Sequence, residues 1–419
     1  MSRFVANEHG IKVLAMPPPY KAWFALCNDP DYSTAESWDE VHHYIWEELK
    51  LPFGDSFFIS NWNQQLPDQV NLTEHPHRIA AHSHDAIHTW GDFALSGKHR
   101  FTREDALSAL ELLRAHDIRP LVWTDHSNFI GNLMHRTSNK ILPRVRDSSG
   151  HEYINDVYTM DLVKAAGIRY VWDGSLTKGV IGQDRPVGRM EWYRQSTRKY
   201  SRRTRAMIAI ADKLSAPFSE FKNSSIFNYG KSCNRQYAPV RFPDGSHVYS
   251  FSRYGSWGLG DIDGLAKAIA KPVLRELSRN EGTMVLYTHL GKRNKKGADR
   301  SVHIPNATKK ALMGLSDAYL SKEINISSTS TLLDYLVLRD NLKIEKSAVH
   351  FRADGIRYEN LVRQDLDGHM FGLSCNCSDL KIYCDGIQVE DTEILQQDGG
   401  LLLRFPSHET PAKGGHQCP

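Results

Sequence analysis

Five histidines and two aspartates, Asp85 and Asp92, crowd into one short segment, His75–Asp92 (HPHRIAAHSHDAIHTWGD). Neutral imidazole and carboxylate are the donors a zinc-type divalent ion takes, and such a cluster is costly to keep for packing alone. Upstream, an apolar run ends in acid, AWFALCNDPDYS (22–33); far downstream, another ends in histidine, TMVLYTHLG (283–291). An ion, a carboxylate and an imidazole are the parts of a hydrolytic centre. The chain therefore reads first as a metallohydrolase.

These residues need a scaffold that brings them together. Residues 21–29 read as a buried strand, short, apolar and ended by Asn28-Asp29-Pro30. Ser37 to Leu51 reads as a helix, with Ser37 as N-cap and Glu40 closing a capping box. Asp55 to Ser60 is the next strand. Thr102 to Asp105 caps an amphipathic helix that runs through His116. Pro120 to Thr124 is a strand leading into Asp125-His126, and a helix from Met160 to Ala166 precedes a strand from Ile168 to Trp172. One long helix is expected over 262–278, then a strand to Thr288, then a helix over 328–341.

Strands alternating with helices imply an α/β fold with a mostly parallel sheet or barrel. Asp29, Asp125, His126, Asp173 and His289 all fall just past strand C-termini, the functional end of an α/β barrel. No clean alternation shows between Asp173 and Val248, so an insertion around 174–247 is expected over the barrel mouth. From Lys343 the texture changes to short alternating runs broken by Asp-Gly and Gly-Gly, which are hairpin signals. The organisation read from this is a barrel over 1–342, a small β module over 343–406 and a disordered tail over 407–419.

The length of 419 residues suits one large α/β domain plus a module. No apolar run approaches the ~18–20 residues of a membrane span, and the N-terminus lacks a signal-peptide core, so a cytoplasmic location is expected. A net charge of +3 gives no general attraction to nucleic acid, and no nucleic-acid module is recognisable. Six cysteines are sparse for this length and suit a reducing compartment. Cys375, Cys377 and Cys384 lack paired CxxC spacing and are expected as buried or free thiols. The basic stretches STRKYSRRTR (196–205) and GKRNKKGADR (291–300) would steer an anionic glycan, lie near an anionic membrane surface, or form solvated surface.

The order of these pieces resembles the polysaccharide deacetylase family (carbohydrate esterase family 4, chitooligosaccharide-deacetylase-like) over about residues 20–340. The family's acidic motif, helix, Phe-Phe strand, histidine motif and following helix stand here as CNDPDYS, the helix to Leu51, GDSFFIS, the segment ending HTWGDF, and FTREDALSALELL. AAGIRYVWDGS looks like the strand of its fourth motif, and YTHLG like its last. The resemblance implies a distorted (β/α)7-type barrel holding one divalent ion, zinc first among them. It implies removal of an acetyl or other acyl group from an N-acylated sugar, in bacterial surface-polysaccharide biosynthesis, with a carbohydrate or acylated amino-sugar as substrate.

Carried over residue by residue, the ion would be held by Asp29, His84 and His88. The i, i+4 spacing of the two histidines matches the family's HxxxH form and on a helix would put both imidazoles on one face. His289 would be the general acid. The family's Asp-Asp pair reads Asn28-Asp29 here; asparagine cannot act as base, so Asp31 would take that role, as in an Asp-x-Asp variant. A second register, aligning HTWGD, gives a site of Asp29, His88 and Asp92. The family's Arg-Pro motif is not found; TDHSN stands in its place, so Asp125 or His126 would contribute a base or extra ligand. His82 is a further outer partner. Trp90 would wall the substrate pocket or pack in the core, and Asp173 would face substrate. Two rivals remain. One is a barrel that has lost hydrolysis and binds a glycan, which rests on Asn28 and expects Asp31, Asp125 and His289 not to converge. The other is a C–N hydrolase acting on a small acylated amine. Oligomeric state is not legible in the chain.

Overall fold

The computed structural model describes residues 10–61, 68–81, 84–91, 101–125, 143–177, 203, 206–207, 236–255, 261–292, 304–375, 380–397 and 400–407. Two compact units divide the chain: Ala22–Leu333, and Met1–Lys21 together with Asp334–Pro419. The larger is built on a curled, all-parallel half-barrel sheet. Its strands are β1 (Ala22–Asn28), β2 (Asp55–Phe57), β3 (His84–Ile87), β4 (Val122–Thr124), β5 (Tyr170–Thr177), β7 (His247–Tyr254), β8 (Thr283–Thr288) and β9 (Ile324–Ser327), with β6 (Tyr237–Arg241) an antiparallel hairpin partner of β7. The eight parallel strands run in the order β9-β1-β8-β7-β5-β4-β3-β2. The α/β expectation is thus met at the level of a barrel-like parallel sheet.

Strand alternation sorts the side chains. Phe24 and Leu26 of β1, with Met284 and Leu286 of β8, pack in one apolar cluster against Val41 and Ile45, Leu265, Leu274, Leu277, Leu312 and Leu315 from the covering helices. Ile87, Trp123 and Val171 pack in a second cluster against Ala106, Leu110 and Leu113 from Arg103–Ala115 and against Met160 and Val163 from Met160–Ala165. Residues of opposite parity on β1, such as Cys27, face the other way.

Three local expectations change. The first helix spans Ala35–His42 and continues as a π-helical turn, His43–Glu48. Its cap is Thr34 rather than Ser37: Thr34 Oγ1 accepts from the Ser37 N–H at 3.2 Å, and Ser37 Oγ accepts from the Thr34 N–H at 2.9 Å, so the two hydroxyls satisfy each other's backbone. The single helix expected over 262–278 is two, Ile262–Ala268 and Lys271–Arg279. Pro272 sits in the first turn of the second, where its ring would clash with a continuous helix. His84–Ile87 is a strand, not a helix.

Asp85 is buried on β3, and its Oδ2 accepts from the Ser330 N–H at 2.6 Å. Burial raises its carboxyl from the ordinary 3.8 to about 6, against the lowering effect of the Ser330 hydrogen bond. A carboxyl raised on folding lends stability that is complete below its unfolded value and is lost as pH rises through its folded value. Wild-type stability is therefore expected to fall by up to about 3 kcal/mol between pH 4 and pH 7 through this group. Asp85→Asn should flatten that slope. Urea unfolding at pH 4.5 and pH 8 checks it: an unchanged slope in the variant would rule the assignment out.

In the smaller unit, Lys12–Val13, Met370–Ser374, Gly400–Arg404 and Glu393–Gln397 form one antiparallel sheet in that order. Because Lys12–Val13 pairs with Leu373–Ser374 there, the first residues group with the C-terminal module, not with the barrel they were expected to begin. A second sheet takes Lys343–Glu345, Ala348–Phe351, Lys381–Cys384 and Ile387–Gln388. Asp385 and Gly386 turn its last hairpin with φ of 42° and 87°, the left-handed pair that an Asp-Gly turn supplies. Phe351, Phe371 and Phe405 form its aromatic core. Cys384 is a buried free thiol as expected; Cys375 is disulfide-bonded, which departs from the free-thiol expectation. The tail from 408, most of the insertion around 174–247 and nearly all of both basic stretches lie outside the described residues. Among the described residues, no helix is long and apolar enough to cross a membrane.

Candidate metal centre

Every residue of the candidate centre comes from the C-terminal end of the parallel sheet. Asp29 and Asp31 follow β1, His88 follows β3, His289 follows β8, and Arg253 is the penultimate residue of β7. Asp261 joins them just before the helix Ile262–Ala268, through an isolated parallel bridge to His289. Tyr32, after Asp31, and Thr89, after His88, hold φ of 64° and 62°. A bulky and a β-branched residue rarely adopt that conformation, and such strain concentrates where loops must aim functional groups.

His88 Nε2 lies 3.6 Å from Asp29 Oδ2 and 3.6 Å from Asp31 Oδ2. His289 Nε2 lies 3.5 Å from Asp31 Oδ2 and 4.0 Å from Asp29 Oδ2. All four side chains are buried. These separations exceed hydrogen-bond length. They approach the roughly 3.3–3.6 Å between ligand atoms on a tetrahedral ion with bonds of ~2.0–2.2 Å. Asp31 Oδ2 is buried and has no hydrogen-bond partner among the described residues, an otherwise costly state for a carboxyl oxygen. Asp29, Asp31 and His289 form a mutually close buried group that could hold a metal ion, and His88 reaches both of its carboxylates. Three carboxyls, Asp29, Asp31 and Asp261, gather here with the Arg253 guanidinium, while Lys292 acts on His289. The donor set thus fits such an ion.

Arg253 organises the inner wall. It is fully buried, and its Nη1 and Nη2 donate to Asp29 Oδ1 and Oδ2 at 2.7 and 3.0 Å. Nη1 also approaches Cys27 Sγ at 3.3 Å. The guanidinium stacks 3.3 Å from the Trp172 ring centre and 4.5 Å from that of Tyr287. Burial by itself would raise the Asp29 carboxyl, but Arg253 and then His88 overcome it and hold Asp29 well below the usual carboxylate range. Burial pushes the Cys27 thiol up to about 11, so it stays protonated.

His289 is held through one ring nitrogen: Nε2 lies 3.2 Å from the Tyr287 hydroxyl, while Nδ1 lies at ion-pair distance, 3.2 Å, from Asp261 Oδ1 without the alignment of a hydrogen bond. Burial would lower this imidazole, yet the carboxyls of Asp261, Asp31 and Asp29 raise it above its ordinary value.

The structure therefore gathers Asp29, Asp31, His88 and His289 from the expected residues. His84 is not brought in by helical spacing. It opens β3 whereas His88 follows that strand, so four residues separate them by ~13 Å of extended chain instead of one helical turn. Trp90 is a core residue, not a pocket wall: its Nε1 donates to Thr159 Oγ1 at 3.1 Å and its ring meets Trp123 edge-on at 4.9 Å. Asp125 is buried past β4, with its N–H bonded to the Trp172 carbonyl, and is not part of the close donor group. His82, Asp92 and His126 lie outside the described residues, as do the side chains of His84 and Asp173. Arg253, Asp261 and Tyr287 went unpredicted. Arg253 had a signal, a lone cation closing the apolar, aromatic strand HVYSFSRY, and Asp261 had one as an acid before a helix.

No family model matches the chain, and no curated protein matches it. Among solved structures, the crystal structure of 4-alpha-glucanotransferase from Thermococcus litoralis is similar at 12% identity and a TM-score of 0.31. That match covers 74% of this chain and 39% of the glucanotransferase, and at this level it carries no argument about activity.

Proposed function

We propose that this chain is a divalent-metal-dependent hydrolase, zinc being the preferred ion, that removes an acetyl or other acyl group from an N-acylated sugar. In this reading the sheet is a distorted (β/α)7-type barrel with β9 as an added edge strand. The proposed setting is cytoplasmic, in bacterial surface-polysaccharide biosynthesis. The observation that carries the proposal is the convergence of two imidazoles on two buried carboxylates, with Asp31 Oδ2 lacking a hydrogen-bond partner among the described residues. The rival, a barrel that has lost hydrolysis, expected Asp31, Asp125 and His289 not to converge: Asp31 and His289 lie together, whereas Asp125 is not in the close donor group.

The geometry favours exchanging the roles first expected for the two aspartates. Both Asp29 oxygens already accept from Arg253, whereas Asp31 keeps an uncommitted oxygen. Asp31 and His88 are thus the donors assigned to the ion among the described residues. When bound, the ion would acidify a water and polarise the acyl carbonyl. Asp29, kept ionised by Arg253, would serve as the base toward the attacking water. His289 Nε2 returns a proton to the leaving amine, while Asp261 lies beside Nδ1.

The test is acetate and free-amine release by zinc-reconstituted protein from a panel of N-acetylated sugars and small acylated amines. Release should stop with a chelator, return with zinc, and fall in His289→Ala while the metal stays bound. Zinc-loaded protein that releases nothing from the whole panel would leave the glycan-binding barrel as the better reading.

A further inference from the structure

The asparagine beside Asp29 sits where a second acid would weaken the case for catalysis if absent. Strand alternation removes that difficulty. Cys27 and Asp29 both touch Arg253, so they share the inner face. Asn28 has the parity of Phe24 and Leu26, which pack against the helices. Its side-chain hydrogen bonds go to other groups. Nδ2 donates to Asp55 Oδ1 at 3.0 Å, and Oδ1 accepts from the Leu290 N–H at 2.8 Å.

Asp55 is held in turn. Its Oδ1 accepts from the Ser56 N–H at 2.8 Å, and its Oδ2 lies 2.7 Å from His42 Nε2. His42 Nδ1 lies 2.7 Å from the Trp38 carbonyl. A carbonyl only accepts, so Nδ1 is the donor of that bond. The His42 ring is stacked between Trp38 and Trp46, with centroids at 4.2 and 4.5 Å. Ser56 Oγ donates to the Asn28 carbonyl, closing the loop. Asn28 is buried, as are Asp55 and His42. The network spans β1, β2 and the first helix, and it ends on the residue after His289.

We infer that Asn28 is a positioning residue that locks the chain after β1, carrying Asp29, against the chain after β8, carrying His289. The task needs one donor and one acceptor on a single side chain. An aspartate has no donor when ionised, and would set two buried carboxylates face to face with Asp55. Asparagine at this position is thus a requirement of the lock and not a damaged base. The inference rests on the hydrolase reading for its functional consequence, but its geometry can be tested without that reading.

The experiment uses the full chain stripped of metal and titrated with Co2+, whose visible absorption reports ligand number and geometry. Asn28→Asp and Asn28→Ala are compared with Thr283→Val. That control removes a buried hydrogen bond, Thr283 Oγ1 to Gln236 Oε1 at 3.2 Å, at the opposite end of β8. Amide hydrogen exchange of Leu290 is followed in all four proteins. Both Asn28 variants should bind Co2+ at least about tenfold more weakly with a shifted band, as changes to groups that orient ligands do. Leu290 should exchange at least about tenfold faster in Asn28→Ala. Thr283→Val should be destabilised with an unchanged band and unchanged Leu290 exchange. Wild-type-like Co2+ binding and Leu290 protection in the Asn28 variants would overturn the inference and leave the hydrolase reading standing. If the wild type binds no Co2+, the hydrolase reading fails, and Leu290 exchange decides the lock alone. Faster exchange in Asn28→Ala but not in Thr283→Val would sustain it, and equal exchange would end it.

Discussion

Asp31→Asn is expected to fold normally and yet bind zinc on the order of a thousandfold or more weakly than the wild type. Changes to groups that merely orient ligands cost 10–100-fold, and here a donor itself is removed. The isosteric amide has an oxygen to offer but no charge, and a buried ion depends on anionic donors to offset its desolvation. The variant should also lose its acetate-releasing activity. Its melting temperature without metal should equal or exceed that of the wild type, because the buried negative charge of Asp31 no longer needs to be accommodated. The wild type alone should then gain stability from zinc, by the usual linkage of binding to folding. Elemental analysis and thermal unfolding with and without zinc measure both effects. Full zinc retention by Asp31→Asn with activity lost would return Asp31 to the role of base and Asp29 to that of ligand.

The second large effect concerns Arg253. Arg253→Met should destabilise the barrel unit by about 3–5 kcal/mol, the range for breaking a buried ion pair by removing one partner. The shape of the loss matters more than its size. Met fills much of the space between Trp172 and Tyr287, so the loss comes mainly from leaving the Asp29 carboxylate buried without its fork of donors. Adding Asp29→Asn to Arg253→Met should therefore restore part of the stability, giving a favourable coupling in a double-mutant cycle. Arg253→Lys should not restore the wild type, because an ammonium cannot donate to both carboxylate oxygens as the planar guanidinium does. Urea unfolding of the four proteins measures this. A loss below about 1 kcal/mol in Arg253→Met, the range of an exposed pair, would mean that Asp29 and Arg253 are not the buried pair described.

Much of the centre was legible along the chain. Asp29, Asp31, His88 and His289 each stand where an apolar run gives way to polar residues, and in a parallel sheet those points share one end. Capped amphipathic helices and Asp-Gly hairpins were legible for similar reasons: the signal lies within a few residues. Where local signals competed, the sequence misled. His84 and His88 fit the helical spacing, yet the same tetrapeptide alternates as a strand, and pairing with β2 and β4 selects the strand. Trp90 could have faced either core or pocket, and its contacts with Thr159 and Trp123 decided for the core.

What the amino-acid order determined by itself was which acids and imidazoles stand at strand ends, because burial pattern and strand-end placement are local properties. What only the tertiary structure decided was the charge environment in which they work. Arg253 lies 224 residues from Asp29, and Asn28 lies 262 residues from Leu290. No spacing rule reaches that far; these pairs exist because β7 and β1 both flank β8 in register, with Thr288 opposite Asn28. Carboxyl against guanidinium, and amide against backbone N–H, are contacts over a few ångströms. They are set by how strands stack side by side, a quantity the one-dimensional chain does not contain.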